Sequence, residues 1–164
     1  MDREMLRLFY QRYSREIYLY LYSRCKNREA AEDMMQEVFL KALLSWNDEN
    51  GNLRAWLYKV ARNICMNHLK KAGRETGMGE KEIRDTDLSP DEKYIMDEEK
   101  RTLYQGMLTL PVRQREIREL FYFSEMSMKE IAVFLRLSPE NVRVLAFRAK
   151  KALKSYMEVK GYEL

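Results

Sequence analysis

Histidine, cysteine, proline and glycine are scarce in this chain of 164 residues, which holds one, two, three and six of them respectively. The chain also lacks a glycine-rich phosphate loop, and no serine or cysteine has a base at a recognisable spacing. These are the usual parts of a catalytic centre. We therefore expect no enzyme activity, no cofactor and no small-molecule substrate.

The two cysteines, Cys25 and Cys65, each fall within a helix-like pattern and form no C-x-x-C pair. Free buried thiols are expected, as in proteins of a reducing compartment. Cys65 and His68 have a C-x-x-H spacing, but structural zinc normally takes four ligands and the sequence offers only one further cysteine and no further histidine. No metal site is expected.

Long apolar runs are missing as well, since no stretch approaches the roughly 18 residues that are needed to cross a bilayer. The N-terminal segment MDREMLRLFYQRY carries charges where a signal peptide would place its apolar stretch. The sequence therefore predicts a soluble, cytoplasmic protein. Its 46% of hydrophobic residues can bury the core of one domain or of two small ones.

Positive charge is distributed unevenly along the chain, although the net charge is only +4. Residues 1–72 carry 13 Lys and Arg against 9 Asp and Glu, and residues 101–164 carry 12 against 7. Residues 73–100, between them, carry 5 against 10. Two basic blocks raise the local concentration of a polyanion such as nucleic acid. Charge alone, however, is better explained by solvated helix surfaces.

Apolar residues recur at steps of three and four over most of the chain, and alternating β-branched runs are absent. In the first half this pattern predicts helices over 3–24, 28–46 and 53–72, with a polar loop at 47–52. Three amphipathic helices of this length can close a small bundle.

Residues 73–90 contain three glycines and few apolar side chains, which predicts a flexible acidic linker. A second helical cluster follows and continues to about residue 158. The predicted fold class is therefore all-α. It comprises a three-helix bundle over 1–72 and a four-helix domain with a helix-turn-helix over 91–164, joined by the linker.

The helix-turn-helix is predicted from its capping residues. Ser127 and Glu130 form a capping box at the start of one short helix. Ser138 can cap the next helix, with Pro139 in its first turn. The inward side of this second helix is a stripe of small and apolar residues: Val142, Ala146, Ala149, Leu153 and Tyr156. Its outward side is mostly basic, as expected of a helix that enters the DNA major groove.

A preceding helix opens at Leu110-Pro111, and it is predicted to be scaffold for this reading helix. Its apolar residues are Ile117, Leu120, Phe121 and Phe123.

The helix over 53–72 combines cations, amides and an aromatic residue on the face opposite Trp56 and Val60. These residues are Arg54, Tyr58, Lys59, Arg62, Asn63, Met66, Asn67 and Lys70. Asn63 and Asn67 lie one turn apart and so project together. Amides can hydrogen-bond the edge of an unpaired base while cations hold the backbone. An ordinary solvated face explains the pattern equally well.

Two groups of short motifs occur in order along the chain. The first is Ala31-Glu32-Asp33-Met34-Met35-Gln36-Glu37-Val38-Phe39, followed by Ala55-Trp56-Leu57-Tyr58-Lys59-Val60-Ala61-Arg62-Asn63. The second is Leu110-Pro111-x-x-Gln114-Arg115, then Met126-Ser127-x-x-Glu130-Ile131-Ala132, Val142-Arg143 and Arg148-Ala149-Lys150-Lys151-Ala152-Leu153. These motifs resemble the second and fourth regions of the extracytoplasmic-function (ECF) sigma factors of RNA polymerase, in the sigma-70 superfamily.

The resemblance implies a sigma factor that binds core RNA polymerase and directs initiation at promoters. Residues 1–72 would be region 2, which reads the −10 element, and residues 91–164 would be region 4, which reads the −35 element. The resemblance further implies an anti-sigma factor that can hold the protein at the membrane, contacts with the β′ clamp helices and the β flap, and a monomeric free state.

The same resemblance implies three sets of site residues. The polymerase-binding residues, which dock on the β′ clamp coiled coil, are Asp33, Gln36 and Glu37. The −10 residues, which with the 47–52 loop capture a flipped base, are Arg54, Tyr58, Lys59, Arg62, Asn63, Asn67 and Lys70. The −35 residues are Asn141, Arg143, Val144, Phe147, Arg148, Lys150 and Lys151, of which Arg143, Phe147 and Arg148 are expected to reach base edges.

The sequence departs from the family pattern in the helix-turn-helix. Arg136 stands at the corner where a small residue, often Gly, is usual, and Asn141 stands where Thr is common. Val144, Leu145 and Ala146 replace a more polar stretch, which implies an unusual −35 preference. A stand-alone helix-turn-helix regulator is an alternative, but it leaves the Asp33–Phe39 motif unexplained. A sigma-like interaction protein without promoter function is a third hypothesis.

Overall fold

The computed structural model describes residues 1–76 and 97–163. The chain divides into two compact units, Met1–Glu82 and Ile83–Leu164. Within the described ranges every regular element is helical, with seven α-helices and one short 3-10 turn, which confirms the all-α prediction. None of these helices is both long and apolar enough to span a membrane.

The first unit is a bundle in which each of three helices contacts the other two. The helices are α1 (Arg3–Cys25), α2 (Arg28–Ser45) and α3 (Leu53–Thr76). Asp2 and Asn27 cap α1 and α2 through their side-chain oxygens, which satisfy amides of the first turn. The loop before α3 contains a 3-10 turn over Asp48–Asn50. The core of the bundle is lined by Ile17, Tyr20, Leu21, Met35, Val38, Leu57 and Ala61.

Helix α3 extends further than the sequence predicts. It continues through Gly73 to Thr76, although a linker was expected from residue 73. Extending an existing helix adds one hydrogen bond per residue, so a single glycine, at a cost of about 1 kcal/mol, does not end it. The rest of the predicted linker, 77–90, lies outside the described residues.

The second unit is organised around its last helix, which contacts the other three. Its helices are α4 (Glu98–Leu108), α5 (Val112–Phe123), α6 (Met128–Leu135) and α7 (Pro139–Val159). Gly106 lets α4 approach α7 closely. A Cβ atom at this position would lie 2.7 Å from Cδ1 of Tyr156 and 3.2 Å from Cδ2 of Leu153.

The capping residues of the helix-turn-helix are as predicted. Ser127 accepts from the amide of Glu130 at 3.1 Å, and the Glu130 carboxylate accepts from the amide of Ser127 at 3.2 Å. Ser138 accepts from the amide of Asn141 at 3.2 Å. Arg136, at the corner, has φ 57° and ψ 43°, in the left-handed region that glycine adopts without strain. The helix-turn-helix corner therefore has the left-handed backbone conformation that suits glycine, although an arginine occupies it.

Two predictions about burial need correction. Phe121 was expected in the scaffold with Ile117 and Leu120, but 43% of it is exposed, because it lies on the outer side of α5. Cys25 was expected to be buried, and it is only half-buried, whereas Cys65 is fully buried. Partial burial is still enough to raise the pKa of the Cys25 thiol above its ordinary value.

Candidate nucleic-acid and polymerase interfaces

Helix α3 presents one continuous stripe of three polar residues and one methionine to solvent. Its members are Lys59, Asn63, Met66 and Lys70, all exposed and spaced by four, three and four residues. The opposite side of the helix is buried through Leu57, Ala61 and Ile64. Asn67 is exposed beside the stripe, and Arg62, at its margin, is half-buried. Five of the seven residues predicted for the −10 element therefore lie on or beside one accessible face.

The other two residues of that set, Arg54 and Tyr58, turn toward α1, and Tyr58 is buried while Arg54 is half-buried. Tyr58 has no exposed surface, and its hydroxyl donates to Oε2 of Glu16 in α1 at 2.9 Å. Arg54 also pairs with Glu16, with Nη2 2.9 Å from Oε2 and Nε 3.1 Å from Oε1. The prediction of an outward face is wrong for Tyr58, which is buried, and Arg54 remains partly exposed, because the buried Glu16 carboxylate draws both donors toward α1.

The surroundings of Tyr58 fix its protonation state. Burial raises the pKa of Tyr58 well above its ordinary value, and the negative charge of Glu16 raises that pKa further. The phenol therefore stays neutral and acts as a donor. Its ring meets the ring of Tyr20 edge to face, with centroids 5.2 Å apart. The Arg54 guanidinium also lies over the Tyr13 ring, 5.7 Å from its centroid.

Sequence reasoning missed Glu16. The signal was present, because this acidic residue immediately precedes the run Ile17–Tyr22, all of whose members are buried. A carboxylate at the edge of such a run needs a cation or hydroxyl partner. Glu16 thus ties α1 to the first two turns of α3 and fixes the rotation of α3 about its own axis.

Helix α7 exposes every residue that was predicted to meet the −35 element. These are Asn141, Arg143, Val144, Phe147, Arg148, Lys150 and Lys151. Of the inward stripe, Val142, Ala149 and Leu153 are buried, and Ala146 and Tyr156 are half-buried. Phe147 is 69% exposed and Val144 is 46% exposed, which is unusual for apolar side chains so close together. One side of α7 is thus packed against the rest of the second unit, and the other side is exposed to solvent.

Helix α2 exposes Asp33, Gln36 and Glu37, while the neighbouring Met34, Met35 and Val38 are buried. Gln36 also lines a groove between α1 and α2 whose walls are mostly apolar. The other lining residues are Arg3, Leu6, Arg7, Tyr10, Phe39, Leu40 and Leu43. Leu40 and, one turn on, Leu44 are 55% and 75% exposed. This apolar extension of the acidic face was not predicted from the sequence.

Comparison with known families identifies both units. Residues 9–75 match Sigma-70 region 2, and residues 100–153 match Sigma-70, region 4. ECF RNA polymerase sigma factor SigM of Bacillus subtilis (strain 168) is 30% identical, over 89% of this chain and 91% of that protein. The chain belongs to the ECF sigma factors. It is accordingly a promoter-specific initiation factor that binds RNA polymerase, and the stand-alone regulator is not favoured.

A second relative matches over most of both chains, and two solved structures have a similar fold. ECF RNA polymerase sigma factor SigX of the same organism is 28% identical, over 98% of this chain and 88% of that protein. Among solved structures, the sigma factor RpoE from Bartonella quintana, in complex with the anti-sigma factor NepR, superposes with a TM-score of 0.70. It is 21% identical, and the match covers 93% of this chain and 96% of that chain. CnrH, in complex with the cytosolic domain of CnrY, has the same fold, with a TM-score of 0.62 and 18% identity.

Proposed function

We propose that residues 1–72 of this sigma factor bind core polymerase and read the −10 element, with α3 as the reading helix. The stripe of Lys59, Asn63, Met66 and Lys70 supports this proposal, because it combines cations for the backbone with an amide for a base edge. Asn67 offers a second amide beside it. The 47–52 loop, which ends where α3 begins, helps to hold a flipped base.

The corresponding proposal for residues 91–164 is that α7 enters the major groove at the −35 element. The observation that carries it is the separation of the two sides of α7, one buried against three helices and the other exposed and rich in Lys and Arg. Lys150, Lys151 and Lys154 lie along the later turns, where they would neutralise phosphates.

For the polymerase, we propose that Asp33, Gln36 and Glu37 dock on the coiled coil of the β′ clamp. The apolar residues Leu40 and Leu44 extend this face, so that a helical partner would bury hydrophobic surface beside a rim of charge. The second unit would contact the β flap.

An anti-sigma factor is the proposed regulator. Support comes from RpoE and CnrH, which were solved in complexes with NepR and with the cytosolic domain of CnrY, respectively. We propose that the free sigma factor is a cytoplasmic monomer and that its anti-sigma factor is able to retain it at the membrane.

Run-off transcription with purified core polymerase tests the function as a whole. The sigma factor should start transcripts at a discrete set of promoters, and sequencing those transcripts would give its −10 and −35 elements. A chain that binds core polymerase but starts no transcript on any genomic fragment would be an interaction protein. A chain that binds promoter DNA but not core polymerase would refute the polymerase-docking proposal.

A further inference from the structure

The exposed side of α7 has a centre and two margins that differ in chemistry. Because successive residues are rotated by about 100° around a helix, Glu140, Val144, Phe147 and Lys151 form the line directly opposite the buried Val142 and Ala149. All four are exposed. Arg143 and Arg148 lie on opposite margins of this line. The two arginines thus flank the apolar pair instead of sharing its line.

This arrangement assigns the centre and the margins to different parts of a DNA groove. A helix in the major groove turns its central line to the base edges, while its margins face the phosphates of the two strands. The Glu140 carboxylate, at the start of the central line, would be repelled by a phosphate. The flanking guanidinium groups are well suited to phosphates. The first two turns of the central line, from Glu140 to Phe147, therefore face bases, whereas Lys151 lies further along the helix and faces phosphates.

The apolar pair then needs an apolar partner among the base edges. In the major groove each base pair offers hydrogen-bonding groups, and thymine alone adds a methyl group. Val144 and Phe147 are three residues apart, so their axial separation is about 4.5 Å, slightly more than the roughly 3.4 Å between stacked base pairs. They can therefore contact methyl groups of neighbouring base pairs.

We infer that Val144 and Phe147 read thymine methyl groups in the −35 element, and that Arg143 and Arg148 position the helix on the phosphates. The inference rests on the proposed entry of α7 into the major groove. It revises the expectation, made from the sequence, that the two arginines read bases. Sequence preference in this part of the promoter then comes from removal of apolar surface from water.

Removing the methyl groups from DNA tests this inference. Holoenzyme is bound to a promoter from which it initiates, and each −35 thymine is replaced in turn by deoxyuridine, which lacks only the methyl group. Wild-type holoenzyme should lose about three- to fivefold in affinity at one or two positions, the effect expected from one buried carbon. With Val144→Ala or Phe147→Ala, the loss at one of these positions should disappear.

Arg148→Ala serves as the matched control, because it should weaken binding to every template and leave the deoxyuridine effect intact. Circular dichroism would check that the exposed substitutions leave the helices folded. If no thymine is sensitive, or if sensitivity persists in both apolar variants, the inference is overturned.

A promoter with a scrambled −35 element distinguishes failure of methyl reading from failure of the proposed −35 contact of α7. If scrambling weakens binding but deoxyuridine does not, only methyl reading fails; if scrambling has no effect, α7 does not read this element and both proposals fall.

An alternative occupant of the apolar pair is a protein, and the same variants distinguish it. If Phe147→Ala leaves binding to all templates unchanged but weakens binding of a protein partner, the patch is a protein-docking surface and the inference is wrong.

Discussion

Tyr58 in α3 and Glu16 in α1, 42 residues apart in sequence, are joined by a buried hydrogen bond of 2.9 Å. The same carboxylate holds Arg54 one turn earlier on α3. Because a rigid helix cannot rotate at one end alone, fixing Arg54 and Tyr58 inward fixes Lys59 and Asn63 outward. These two contacts of Glu16 therefore determine which side chains of α3 are exposed on the face that we propose reads the −10 element.

Tyr58→Phe should destabilise the protein without disturbing its core shape. The Phe ring keeps the edge-to-face contact with Tyr20, but Glu16 loses one donor while retaining Arg54. We expect the free energy of unfolding to fall by about 1–2 kcal/mol, measured by urea denaturation. Tyr10→Phe is the matched control, because its half-buried ring meets Phe39 edge to face and it should change stability by less than about 0.5 kcal/mol. Equal effects of the two variants would contradict the proposed role of the bond.

The difference between wild type and Tyr58→Phe should depend on pH in the alkaline range. Because folding raises the pKa of Tyr58, the stability supplied by the neutral phenol is complete below its ordinary pKa of about 10. It declines as the pH rises past that value. The gap in unfolding free energy between the two proteins should therefore be constant up to about pH 10 and narrow as the pH rises further. A constant gap would show that Tyr58 titrates normally in the folded protein.

Asn63→Ala should impair promoter melting while leaving the binding of core polymerase intact. Its amide is proposed to contact an unpaired base, and loss of one such contact is worth roughly tenfold in the yield of open complexes. Permanganate footprinting would measure the melted region. His68→Ala, an exposed substitution on the same helix but outside the stripe, is the control. Normal melting with Asn63→Ala would show that Asn63 does not contact an unpaired base.

Reversing charge on α2 should abolish polymerase binding. Asp33→Lys with Glu37→Lys places two cations on the proposed docking face, and like charges across an interface cost several kcal/mol. Binding to core would be measured by fluorescence anisotropy. Glu158→Lys with Glu163→Lys changes the net charge equally on exposed positions of the other unit and should bind normally. Unchanged affinity of the α2 variant would place the interface elsewhere, and a loss of helicity would make the two residues structural.

Arg136→Gly should stabilise the second unit, because a residue with a Cβ atom is strained at φ 57°. The relief exceeds the greater entropy of glycine in the unfolded chain by about 0.5–1 kcal/mol. Thermal unfolding would report the gain. Arg136→Ala removes the same charge but retains the strained backbone, so it should give no such gain. If both variants raise the unfolding temperature equally, the gain comes from loss of the Arg136 charge and not from relief of backbone strain.

The features that could be predicted from sequence are those set by neighbouring residues. The apolar spacing predicted the helices, and Ser127, Glu130 and Ser138 predicted where α6 and α7 begin, because capping bonds span three residues. The inward rotation of Tyr58 could not be predicted from helical spacing alone, since it depends on a carboxylate in another helix. The extension of α3 past Gly73 was missed for a related reason, because local preference is weaker than the continuation of an established helix.

The division of α7 into an anchored and an exposed side has a consequence for how this protein can diverge. Its position is maintained by the N-cap Ser138 and by the buried stripe that includes Val142, Ala149 and Leu153, none of which is among the residues proposed to contact DNA. Substitutions at exposed positions usually change stability by less than about 0.5 kcal/mol. If α7 reads the −35 element as proposed, a duplicated copy of this gene could acquire a new set of target promoters through a few changes on one side of α7, each of small cost to folding.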